Sequence, residues 1–288
     1  MIFGLALALA CALGTNVAFL LKHRGAVLAA PVRVRHPIRS AAALFGSRWF
    51  ALGFIVALGA WVLHVAALAL APLSIVQAVL SGGLVFLAVL AERYFGFHLG
   101  QRQWIGLSIT AGGLAVIGLT SGSDTGDPPG YALAALIAIE CTVLVLATGI
   151  AAFSSRLGVG PAREGVLLGI AAGALFGVSD IALKYLTDAV EDGVLELVSP
   201  WLVAALAASV VAFYASARGL QLGPAVPVIA LTSVAANLIA IVGGILVFRD
   251  PIGTGSLEIA ARMAAFCLVI LGAALMPAPL RASREHSH

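Results

Sequence analysis

The feature that most limits this chain is the recurrence of apolar runs long enough to cross a bilayer. From residue 2 to residue 277 one such run follows another, each about 17 to 23 residues, the length that a hydrocarbon core asks of a helix. Mean hydropathy is +1.09 and only 10% of residues are charged, so no stretch remains for a soluble domain. Backbone groups in lipid must be satisfied within the protein, and strand-like alternation is absent, so the spans are helices rather than barrel strands. The expectation is one all-α, polytopic membrane domain over residues 1–288.

Runs are placed near 2–21, 49–70, 75–91, 104–120, 131–152, 165–186, 201–218, 227–248 and 262–277, about nine transmembrane helices. The first reads as a helix rather than a signal peptide, because no Lys or Arg precedes it and it is too long. The segment 25–47 carries Arg33, Arg35 and Arg39, each costly at bilayer depth, and reads as a basic loop rather than a tenth span. With this layout 13 of the 16 Lys and Arg residues fall on one side, the exceptions being Lys184, Arg249 and Arg262. Loops rich in cations stay in the cytoplasm, which places the N-terminus outside and the C-terminus inside a cell membrane.

The chain also resembles itself. LALAPLSIV at 68–76 aligns with LQLGPAVPV at 220–228, matching Pro72 with Pro224 and bringing Ser81 opposite Ser233. LGTNVAFLLK at 13–22 resembles FGVSDIALK at 176–184, and 104–118 resembles 263–276. Two copies, about 2–120 and 165–277, joined by a helix at 131–152, make a 4+1+4 plan. An odd number of spans separates corresponding helices, so the copies are inverted, a common plan among secondary transporters.

The stretch from Ala67 to Gly118, a small-residue helix ending at a Pro turn, a helix closed by Glu92–Arg93 and a Gly-rich helix, resembles the repeat of the drug/metabolite transporter (EamA-like) superfamily. A basic loop after the first helix, GTNVAFLLKHRG at 14–25 and the Ala71–Pro72 pair are similar to its NIPA-like branch. That resemblance implies a transport function, in that branch of Mg²⁺. Where the branch usually carries a Gly-Glu pair in its second helix, this chain has Gly59–Ala60.

Ionisable groups at membrane depth are candidates for function by default. Glu140 lies about nine residues into its helix, roughly 14 Å deep, with no donor at helical spacing. It either holds an interhelical hydrogen bond as a neutral acid or serves a substrate or a coupling proton. Asp180 and Lys184 stand one turn apart, a spacing that suits an ion pair near the outer end of the sixth helix. The pair is either static or faces a central path and opens when a cation or a proton takes Asp180.

Asn16, Gln77, Ser81, Ser179, Ser233 and Asn237 are placed to line a path between the copies, with His64 and Tyr214 as further candidates, although each could also serve helix packing. Gly82–Gly83, Gly112–Gly113 and Gly243–Gly244 suit close helix approach. Cys11, Cys141 and Cys267 read as small core residues, and the metal set, if any, is unknown.

The leading reading is a secondary transporter moving a small solute by alternating access. The alternatives are a Mg²⁺ or other divalent-cation transporter and a non-transporting structural or regulatory membrane protein. No P-loop, HExxH or GxSxG motif points to ATP use or catalysis, no cofactor is implied, and no aromatic-interleaved basic patch points to nucleic acid. The partners expected are the lipid bilayer and a small-molecule or ion substrate; a homo-oligomer is compatible with the sequence.

Overall fold

The computed structural model describes residues 2–33, 36–71, 73–119, 132–189, 193, 197–249 and 255–275. Among them are ten α-helices and no strand: α1 Ile2–Leu28, α2 Pro37–Phe45, α3 Arg48–Leu70, α4 Leu73–Phe95, α5 Gln101–Leu119, α6 Leu133–Phe153, α7 Pro161–Ala189, α8 Pro200–Leu222, α9 Ala225–Leu246 and α10 Ser256–Leu275. Six stretches among these residues, built on α1, α3, α6, α7, α8 and α9, are long and apolar enough to cross a membrane.

Two expectations about the first loop are corrected. α1 does not stop near residue 21 but continues to Leu28, carrying Lys22, His23 and Arg24 within it. No proline interrupts the stretch between Leu21 and Pro31, so the helix can run on. The stretch 25–47 is also not simply a loop, since α2 occupies Pro37–Phe45 with Pro37 in its first turn, where the missing N–H costs nothing. At nine residues, roughly 13 Å, α2 is too short to cross a bilayer and packs on α3.

The packing repeats itself. α1 lies along α3 and also touches α4, while α7 lies along α8 and also touches α9. α4 meets α9 at the centre, and α1 touches α8 as α3 touches α7. The outer pair departs from this pattern: α5 packs on α4, but α10 leans on α5 far more than on α9. α6 sits outside, against α7.

Small residues set how close these helices come. In α7 the sequence places Gly165, Gly169, Gly173 and Gly177 four apart, a stripe along one face. A Cβ on Gly173 would run into the carbonyl oxygen of Thr232 on α9, and one on Gly177 would lie 2.8 Å from Ala236 O. Gly165 meets Gly223 at the end of α8 in the same way. Gly83, Gly113 and Gly243 make comparable approaches to Ala12, Ala265 and Ile181, whereas Gly112 faces open space.

Gly173→Leu should therefore push α7 from α9 and cost about 1–3 kcal/mol or more. Gly112→Leu should change stability little. Thermal unfolding of the two variants in one detergent checks the contrast.

Candidate functional site

A cavity of about 330 Å³ lies where the two sets of helices meet. α1, α3 and α4 form one wall and α7, α8 and α9 the other.

Its polar end is built around Asp180. This carboxylate belongs to α7, and the glycine stripe two turns earlier holds α7 close to α9. Asp180 Oδ1 accepts from His64 Nε2 at 3.1 Å, and Oδ2 accepts from Gln77 Nε2 at 3.1 Å. His64 comes from α3 and Gln77 from α4, so both bonds join one wall of the cavity to the other. Asp180 keeps 20% of its side chain accessible, while His64 and Gln77 are buried. Two donors on one carboxylate offset much of its desolvation, and a charged acceptor makes each bond stronger than a neutral one.

Asn16 on α1 supplies a directed acceptor. Its Nδ2 donates to Ala12 O at 2.8 Å and to Gly83 O at 2.9 Å, which fixes the amide orientation. A side chain at Gly83 would collide with Ala12 and Asn16, so glycine is what lets the α4 carbonyl reach the amide. Asn16 is 5% exposed and its Oδ1 has no hydrogen-bond partner. Thr15, Ser209, Ser233 and Asn237 add further polar atoms to the wall.

The other end is apolar and closes on an aromatic cluster. Phe45 and Phe213 stack at 6.2 Å, with Phe50 and Phe54 edge-on to them. The region after α1 is tied across this end to α8: Gln221 Nε2 donates to Ala26 O and Ala30 O, and its Oε1 accepts from Val32 N at 2.9 Å.

Of the residues expected from sequence, Asn16, His64, Gln77, Asp180, Ser233 and Asn237 line the cavity. The Ser81 side chain lies outside the described residues. Ser179 turns from the cavity to α8, bonding Ala205 O at 3.1 Å and Ser209 Oγ at 2.8 Å. Tyr214 is also not a liner, because its hydroxyl donates to Pro37 O at 3.2 Å and so ties α8 to α2.

The expected Asp180–Lys184 pair is corrected. Lys184 Nζ lies 2.7 Å from Asp188 Oδ1, the acid one turn on, and also donates to Leu68 O. The same four-residue spacing serves both partners, and the donors on α3 and α4 have already engaged Asp180. Glu140 is 4% exposed and lines no part of the cavity. It sits between Leu136 and Ala147 on the buried stripe of α6, and its Oε1 has no hydrogen-bond partner.

Sequence reading missed Lys22, which lines the cavity with its Nζ 4.2 Å from the centroid of the Phe19 ring. The signal was the uninterrupted helical run through LLKHRG, read as a loop on charge alone. Trp61, Phe176 and Phe213 were also missed, since an aromatic residue in an apolar helix carries no mark of what it faces.

Among the described residues no group of three or more His, Cys, Asp or Glu side chains is placed to hold a metal ion. A cation here would meet one carboxylate and neutral oxygens, a set that suits an ion keeping most of its water.

No family model matches the chain, and no solved structure matches it. It is similar to an Arabidopsis thaliana protein named Probable magnesium transporter NIPA9, with 26% identity across 97% of this chain and 83% of that protein.

A double-mutant cycle tests the link between the two walls. His64→Gln and Asp180→Asn should each destabilise the chain, and the pair together should cost less than their sum by about 0.5–3 kcal/mol. Lys184→Gln, which breaks a part-exposed pair, should cost about 1 kcal/mol or less. Thermal denaturation of each variant in detergent supplies the comparison.

Proposed function

We propose that this chain is a membrane transporter of the secondary type, in which two inverted halves rock about the central cavity and expose it to each side in turn. The observation that carries the reading is the Asp180 site: a carboxylate from one half held by His64 and Gln77 of the other, inside a cavity lined by helices of both. Such a contact must break or exchange partners when the halves move, which couples the contents of the cavity to its exposure.

The proposal takes residues 2–120 and 165–277 as the repeats, α6 as the link, and α1 and α3 to α10 as nine spans. The matched packing of α1 on α3 and α4 with that of α7 on α8 and α9 supports it. The N-terminus then lies outside, the aromatic end of the cavity faces the cytoplasm, and the Asp180 end lies toward the exterior.

The cargo in the first reading is a small solute, for which 330 Å³ and a mostly apolar wall with a few directed polar groups are suited. The printed name of the Arabidopsis relative favours a second reading, in which the cargo is Mg²⁺. A hydrated ion would then be met by Asp180, with no dedicated cage.

Reconstitution into liposomes tests transport directly. The full chain should carry Mg²⁺ or members of a panel of organic solutes faster than empty vesicles do. Asp180→Asn should lower that flux by about tenfold or more, equivalent to about 1.4 kcal/mol in the barrier. Flux at the empty-vesicle level for every solute, or an Asp180→Asn variant as fast as the wild type, would refute the reading.

Orientation has its own check. Cysteines introduced as Thr125→Cys and Gly193→Cys should react with an impermeant reagent applied to intact cells, and Pro37→Cys should not.

A further inference from the structure

The cavity holds two charged poles, and they are satisfied differently. Both oxygens of Asp180 are engaged, one by His64 and one by Gln77. Lys22 has neither an acid nor a hydrogen-bond acceptor within reach among the described residues; its ammonium rests on the face of Phe19. Elsewhere the same chain answers a part-buried cation with an acid, Lys184 with Asp188 and Arg218 with Glu164 at 2.8 Å. At Lys22 it does not.

The geometry keeps that ammonium in the cavity. Side chains on a helix lean toward its N-terminus, which carries Lys22 back along α1 toward Phe19 and the middle of the cavity. A ring face returns about 0.5–2 kcal/mol, well short of what an ammonium loses on leaving water, and none of its three donors is used. The site therefore lacks an anionic acceptor at this position. Around it the wall is made of Phe54, Trp61, Phe176 and Phe213, surfaces that take an apolar or aromatic body.

We infer that the cavity receives an organic oxyanion, a carboxylate or phosphate carried on an apolar or aromatic body, with the anionic group on Lys22 Nζ and the body against the rings. The inference rests on the transport reading and favours its organic-solute form, because Lys22 repels a bare divalent cation.

Three probes test it on the purified full chain in neutral detergent: phenylacetate, phenyl phosphate and the uncharged phenylacetamide. Trp61 in the cavity wall supplies a fluorescence signal. At least one anion should bind roughly tenfold or more tightly than the amide, and the better anion identifies carboxylate or phosphate as the preferred group. Lys22→Gln should weaken that anion by about tenfold or more, and Lys22→Arg should retain most of the affinity.

A measurement free of variants stands beside this one: acylation of Lys22 by an amine-reactive reagent, followed by mass spectrometry, should be slowed by the anion and not by the amide. Failure of both anions to bind, equal binding of the amide, or an unchanged affinity in Lys22→Gln would overturn the inference. Mg²⁺ flux into liposomes separates it from the transport reading. Mg²⁺ flux without anion binding sinks the oxyanion site and leaves transport standing; anion binding at Lys22 without flux of any solute does the reverse.

Discussion

How closely α7 can approach α9 governs the rest of the structure. In lipid there is little hydrophobic drive to bring helices together, so contact depends on small residues that let backbones meet. Four glycines at four-residue spacing give α7 a flat face, and Gly173 brings it against the Thr232 carbonyl. Asp180 lies seven residues further along the same helix. Its reach to His64 and Gln77 is set by that crossing, and a wider one would leave the carboxylate short of its donors.

The charges inside the bundle follow from the same low-dielectric setting. Each is expensive unless a partner is built beside it. Lys184 has Asp188 and Asp180 has two donors, so neither demands more from its surroundings. Glu140 lies away from the cavity on the buried stripe of α6, where its Oε1 has no hydrogen-bond partner. Lys22 is the charge in the cavity that meets no acid among the described residues, its ammonium resting on the Phe19 ring.

The closed end of the cavity is another product of packing between distant segments. α2 contributes Phe45 and the Pro37 carbonyl, α3 contributes Phe50 and Phe54, and α8 contributes Phe213 and Tyr214. Hydrogen bonds also cross this end, three made by Gln221 with Ala26, Ala30 and Val32, one from Tyr214 to Pro37 O and one between His23 and Leu220 O. Ring contacts and neutral hydrogen bonds thus share this end, whereas the Asp180 end is held by two charge-assisted bonds.

Sequence alone determined the all-helical class, because lipid leaves an apolar run few other local solutions, but not the end of α1 or the presence of α2. It also marked Asn16, His64, Gln77, Asp180, Ser233 and Asn237, since polar groups in such runs are rare enough to stand out. It could not choose Asp188 over Asp180 as the partner of Lys184, because both lie four residues away and only the donors on α3 and α4 break the tie. Nor could it separate Glu140 from the cavity or bring Lys22 and Phe213 into it. Which face of a nearly uniform apolar helix turns inward is decided by the neighbouring helices, and that information exists only once the bundle has packed.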